Sequence, residues 1–325
     1  MKKTNLLLII AFVILFAITL LYLMPSGERE ATYSLDKVNI KFDSAAITKI
    51  EIKRSEANKS VTLELVDTKW KITSPVSYLA DASSAQRIVD GAAKFKISSL
   101  ISSNVEKQKQ FQVDDSTGTK LTVTEKNGKS TTLILGKTGP TYTEIYTRLP
   151  QSMDVYLAEG FDSYSLNKNV KDWRDRTIYK MERDSIKEIS VSMVVADAKK
   201  KTNATEEYTL MKDSSDWKLN GDSTDNNKVS SLLSSLSNFR TDDFIDSAVT
   251  FSEMQGTVKV KSITSAGMEE TSLLFFPIAP DSQKYYVKTS ATSQVFEVSK
   301  YMANNVLKKK SDLLPAEMKN EEKKK

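Results

Sequence analysis

Serine, lysine, tyrosine and carboxylate side chains must carry any covalent or proton-transfer chemistry in this chain, because its 325 residues include no cysteine and no histidine. That composition excludes disulfides, thiolate nucleophiles, Fe–S clusters and zinc sites built on soft or imidazole ligands. It also removes the side chain that shuttles protons near neutral pH. Three short patterns remain that together have the form of a serine–lysine acyl-transfer site: Ser34-Leu-Asp-Lys37, Ser102-Ser-Asn104 and Lys137-Thr-Gly139. In an acyl-transfer enzyme of that type a lysine one helical turn from a serine takes its proton. The context argues against it here. Ser34 leads into the alternating Val38, Ile40 and Phe42, not into a buried helix, and Lys137-Thr-Gly139 is expected to follow a strand instead of forming it. About 100 residues separate the first and last elements, too few for the helical domain such enzymes place between them.

Carboxylates cluster at Asp114-Asp115, at Asp242-Asp243 with Asp246, and at Asp213, Asp216, Asp222 and Asp225. Two carboxyls acting as general acid and base need a set separation across a cleft. The last group surrounds Asn220-Gly221 but lacks the spacing and terminal glutamate of an EF-hand, so it reads as a turn followed by a helix cap. Trp70 and Trp217 occupy equivalent places and are expected in the core. Trp173-Arg-Asp-Arg176 is expected to seal the seam between two units by ion pairs, with an arginine-rich docking patch as its other reading. No catalytic, cofactor-binding or metal-ligating residue is assigned on these grounds, no cofactor is implied, and the chain is not read as an enzyme.

The elements that position these residues follow from periodicity. Ala85, Ile88, Val89, Ala92 and Phe95 repeat at helical spacing, as do Val229, Leu232, Leu233, Leu236 and Phe239, so each set predicts a helix with one apolar face. Asp81 and Asp225 precede them as N-caps. Val61, Leu63 and Leu65 alternate as in a half-buried strand. Leu121–Leu135 predicts a hairpin about Asn127-Gly128, a pair that accepts the positive φ of a primed turn. Thr143–Arg148 and Met153–Ala158 predict a second hairpin, and further helices are expected over Phe161–Val170 and Ser299–Lys309. The features recur in order: Ile47–Ile52 with Ile186–Val191, Trp70 with Trp217, the two helical stripes, and Tyr146-Thr-Arg148 with Tyr286-Val-Lys288. An ordered recurrence at a nearly constant offset is the mark of an internal repeat. The fold class is therefore α+β, an N-terminal transmembrane helix followed by two related α+β units with mainly antiparallel sheets.

Leu6 to Met24 is apolar except for Thr19, and at about 1.5 Å per residue it reaches roughly the 30 Å thickness of a bilayer core. It exceeds the apolar region of a signal peptide and is followed by no small-x-small cleavage site. Lys2 and Lys3 are expected to hold the N-terminus in the cytoplasm. The domain reading is residues 1–30 as cytoplasmic tip and anchor, 31–46 as stalk and lead-in strand, 47–180 and 181–314 as the two units, and 315–325 as a disordered lysine-rich tail. The formal charge of +5 sits mainly at the two ends, whereas a nucleic-acid binder concentrates it on a folded face. Nucleic acid is not an expected partner.

Several short motifs in this order resemble a bacterial membrane-anchored family, domain of unknown function 4340. They are Ile50-Glu-Ile-Lys-Arg54, Trp70-Lys-Ile-Thr-Ser-Pro75, Ala80-Asp81, Leu133-Ile-Leu-Gly136, Ile145-Tyr-Thr-Arg148, Asp154-Val-Tyr156 and Trp173-Arg-Asp-Arg176, with a worn second copy. The resemblance implies an extracytoplasmic, duplicated domain commonly encoded beside ABC-transporter and gliding-type components; it brings no catalytic residues. The expected role is a single-pass accessory or scaffold protein on the outer face of the cell membrane, partnered by the membrane and by a membrane protein such as an ABC-transporter component. The alternative is a carboxylate-based cell-envelope hydrolase or polymer-binding protein.

Overall fold

A computed structural model describes residues 15–16, 38–197, 202–214, 216–280 and 282–315. Apart from Leu15 and Phe16, the expected anchor lies outside the described residues, as do the stalk up to residue 37 and the tail after 315. Among the described residues no helix is long and apolar enough to cross a membrane. The chain forms two units: the described part of Met1–Ser77 with Ala82–Val170, and Tyr78–Asp81 with the described part of Lys171–Lys325. The second unit thus begins at Lys171, ahead of the Met181 boundary read from sequence, and it takes in four residues from before the first helix.

In the first unit, β1 (Ile47–Lys53), β2 (Val61–Val66) and β3 (Lys69–Ser74) precede β4 (Tyr78–Leu79), which belongs to the second unit. Helix α1 (Ala82–Ala93) and strands β5 (Lys96–Ser102), β6 (Thr119–Glu125), β7 (Ser130–Thr138), β8 (Glu144–Arg148) and β9 (Val155–Glu159) complete it. The strands run β3-β2-β1-β6-β7-β8-β9-β5 across the sheet, and every pairing named below is antiparallel. Alternation places one side chain of each pair inward: Ile50 stands between Leu63 and Val123, and Ile52 between Val61 and Leu121. Ile50, Ile52, Leu63 and Leu121 are wholly buried, each contributing about 1.5–3 kcal/mol by leaving water. The predicted stripe of α1 is buried at Ala85, Ile88, Val89 and Ala92, while Phe95 lies beyond the helix and stacks on Phe42 and Phe161.

The second unit repeats this plan. β10 (Thr177–Lys180) pairs with β15 (Asn238–Arg240). The main sheet is built from β11 (Ile186–Asp197), β12 (Thr202–Asp213), β13 (Asp216–Leu219), β14 (Asp222–Ser223), β16 (Asp243–Ile245), β17 (Gly256–Thr264), β18 (Gly267–Pro277), β19 (Lys284–Thr289) and β20 (Thr292–Ser299). Their order is β14-β13-β12-β11-β17-β18-β19-β20-β16. Strand for strand, from β13 to β16, this is the order of the first sheet. Ile189 stands between Leu210 and Val260, as Ile50 does between its neighbours. Helix α2 (Asn226–Ser237) buries Val229, Leu232, Leu233 and Leu236, and the Asp225 carboxylate accepts the amides of Asn227 and Lys228 as its N-cap. Helix α3 (Lys300–Val306) starts at the Ser299 cap.

Four expectations change. Each main sheet carries one twelve-residue helix, so the units are mostly sheet rather than balanced α+β. No strand forms over Val38–Phe42; that alternation serves packing, and the segment leads into a short turn, Ser44–Ala46, capped by Asp43. The helix expected over Phe161–Val170 is a single turn, Ser163–Leu166, because Asn167 and Asn169 compete for backbone bonds and no apolar stripe extends beyond it. At Asn127-Gly128 only Gly128 takes positive φ, +85°, within a three-residue loop closed by Gly128 N–H to Glu125 O. The two-residue primed turns lie instead at Asn220-Gly221 and at Asp67-Thr68, whose residues all have positive φ.

Candidate functional site

Arg54 leaves the end of β1 with its backbone clamped on Ser60, whose hydroxyl accepts from Arg54 N–H at 3.0 Å and donates to Arg54 O at 3.2 Å. Its Nη1 donates to Thr119 Oγ1 at 2.5 Å. Its Nε is buried without a hydrogen-bond partner and forms an ion pair with the Glu56 carboxylate at 3.7 Å. Glu56 is engaged with Lys59 at 2.9 Å, and that hydrogen bond is the main reason its carboxyl sits below the usual range. Lys137, at the end of β7, holds its ammonium 5.3 Å from the Phe111 ring centre and 5.8 Å from that of Tyr146. Cation–π attraction favours that placement. Among the described residues no carboxylate forms an ion pair with Lys137.

These two cations line one cavity of about 380 Å³ with Gln112, Thr117, Thr119, Thr138, Ser163, Tyr164 and Asn167, and no carboxylate belongs to the lining. The loop between β5 and β6 forms one wall. A Cβ on Gly136 would lie 2.1 Å from Phe111 O, so only glycine lets the loop approach β7. Arg148, 4% exposed, anchors the loop by donating from Nε to Val113 O and from Nη2 to Asp115 Oδ1, both at 2.7 Å. Asp114 accepts the amides and hydroxyls of Ser116 and Thr117. Burial pushes its carboxyl up, but those hydrogen bonds outweigh it and hold the group well below the ordinary carboxylate range.

The second unit fills the corresponding place. By register, Arg54 corresponds to Met193, Thr119 to Gly256, and the Leu135-Gly136-Lys137 run to Phe275-Phe276-Pro277. Met193 and Phe275 are buried in the core, and Phe276 stacks on Phe251 at 4.8 Å. The second sheet has its own hollow of about 360 Å³ on the face of β11, β12 and β17, whose lining includes both Glu207 and Lys259.

The other sequence candidates take structural roles. Ser34 and Lys37 lie outside the described residues. Ser102 ends the edge strand β5, where its hydroxyl accepts from Asn104 N–H. Lys137 and Thr138 belong to β7, a correction to the expectation that they follow it, because pairing with β8 continues to Thr138. Since β8 and β9 intervene between β7 and β5, about three strand spacings of ~4.8 Å separate Lys137 from Ser102. The serine–lysine pattern is not assembled among them. Asp242 accepts from Ser299 N–H, Asp243 pairs with Lys171 and Asp246 with Arg174. Among the described residues no three carboxylates gather into a metal site. Trp70 and Trp217 are buried.

The Trp173–Arg176 block lies wholly in the second unit. Trp173 O accepts from Asp81 N–H, and Leu79 O accepts from Asp175 N–H. Arg174, 3% exposed, donates to both Asp246 oxygens and to Gln294 at 2.8 Å, and its bridge to Ala80 and its stacking on the Tyr78 ring fasten Tyr78–Asp81. Sequence reasoning missed Arg54 and Arg148 as site residues. The signal for Arg54 was present in the repeat itself, a cation where the second copy has Met193.

The fold thus defines a tandem pair of antiparallel sheet modules, each with a helix on its apolar face, the first of them with a cavity lined by Arg54 and Lys137. A family model described as domain of unknown function (DUF4340) matches residues 70–259, more than half of the chain, and the chain belongs to that family. The match runs from β3 of the first unit into β17 of the second, rather than being confined to the first copy. No curated protein and no solved structure matches the chain.

Proposed function

We propose that this protein is a membrane-anchored, non-enzymatic accessory or scaffold subunit of the bacterial cell envelope, working in a transport or motility-type assembly such as one built around an ABC transporter. Leu6–Met24 would hold it in the bilayer with Lys2 and Lys3 on the cytoplasmic side, and both sheet units would face outward. The observation that carries this reading is the apolar run placed ahead of two modules with one shared strand order. Duplicated sheets multiply open edges and polar faces, which suit protein contacts by strand addition or groove binding. Photo-crosslinking in intact cells, with the crosslinker at positions along β5 and β16, tests it. The proposal expects one discrete adduct containing a polytopic membrane protein; recovery of the uncrosslinked chain alone at every position contradicts it.

A further inference from the structure

We propose that the cavity beside Arg54 and Lys137 is a binding site for a soluble phosphate monoester of a small sugar or polyol. This inference goes beyond the scaffold role and does not depend on it. Three observations carry it. First, Arg54 and Lys137 share one hollow whose lining includes no carboxylate, the Glu56 that pairs with Arg54 at 3.7 Å lying outside that lining, so an anion entering it is drawn by two positive charges. Second, Arg54 Nε is buried without a hydrogen-bond partner, and Lys137 is held by ring faces, which leave its N–H donors available. Third, the second unit has the same strand order with Met193 and Pro277 in place of Arg54 and Lys137. The fold therefore does not require these cations.

The shape narrows the class. The Thr138 and Ser163 hydroxyls, bonded to each other at 2.8 Å, keep one free O–H between them beside the cations, a donor suited to an oxygen of a tetrahedral phosphoryl group. A volume of about 380 Å³ exceeds a bare phosphate and falls in the range of small-molecule sites. Gln112 and Asn167 line it with further amide donors and acceptors, as a hydroxylated carbon skeleton requires.

The test is calorimetric titration of the full chain in detergent with glycerol 3-phosphate, inorganic phosphate, uncharged glycerol and the soluble lipid dihexanoyl phosphatidic acid. The proposal expects saturable binding of glycerol 3-phosphate, tighter than inorganic phosphate, and none of glycerol. Lys137→Met, which keeps the packing on the rings, should weaken it about ten- to a hundredfold, as loss of a charge-assisted bond does; Arg54→Gln should do the same. Near-UV circular dichroism checks that each variant is folded, and if Arg54→Gln is not, Lys137→Met decides. Binding of the lipid but not of glycerol 3-phosphate overturns the soluble ligand in favour of a headgroup. Absence of binding, or binding unchanged in Lys137→Met, overturns the site.

Discussion

Arg174 shows how one side chain carries several jobs in the second unit. Its guanidinium carbon lies 3.9 Å from the Phe244 ring centre and 4.3 Å from that of Tyr78, while its nitrogens hold Asp246 and Gln294. Asp246 is 57% exposed, so solvent screens the ion pair and the ring contacts and the amide bond carry more of the stabilisation. Arg174→Ala should cost about 2–4 kcal/mol in urea unfolding, and Arg174→Lys about half of that because the fork geometry is lost; changes below ~0.5 kcal/mol would contradict the role. Asp114 gives a pH signature. Its folded-state acidity is strengthened, so its contribution is present above the unfolded carboxylate value near 4 and is lost as pH falls through the lower folded value. Stability should decline below about pH 4, and Asp114→Asn should make that decline shallower in acid-unfolding curves. Sequence alone marked Asp114 as half of a carboxylate pair. Its partners, two hydroxyls within three residues, reveal a loop brace instead, and that geometry does not follow from composition.

At the scale of elements, the sequence shows most where the contacts are local. The stripe from Val229 to Leu236 specifies α2 because successive turns of one helix bury it, and Asp225 caps it from the adjacent position. The far-edge place of β5 was hidden, because its partner β9 lies beyond three intervening strands in the chain. The Arg54 cavity was hidden for the same reason, since Arg54 and Thr119 are 65 residues apart. Two turns carry predictions. Thr68 holds φ +68°, a strained conformation for a β-branched residue, so Thr68→Gly should stabilise the first unit by about 0.5–1 kcal/mol in thermal unfolding; a destabilised variant would contradict this. Gly136→Ala drives a methyl into Phe111 O and should cost about 1–3 kcal/mol, with faster amide exchange over Phe111–Thr117. An unchanged exchange pattern there would show that Gly136 does not seat the loop.

For the molecule as a whole, the repeat explains both what is shared and what differs. Matching positions such as Ile50 and Ile189 keep the core of each sheet, while Arg54 and Lys137 mark where the first copy departs from the second. The anchor remains a reading of Leu6–Met24, apolar residues whose length matches a bilayer, and the scaffold proposal stands on it. The most direct measurement is the activity of alkaline phosphatase fused after Lys325 in intact cells, an enzyme that folds only outside the cytoplasm. The account predicts an active fusion that stays with the membrane fraction. An inactive phosphatase, with β-galactosidase active at the same junction, would contradict it.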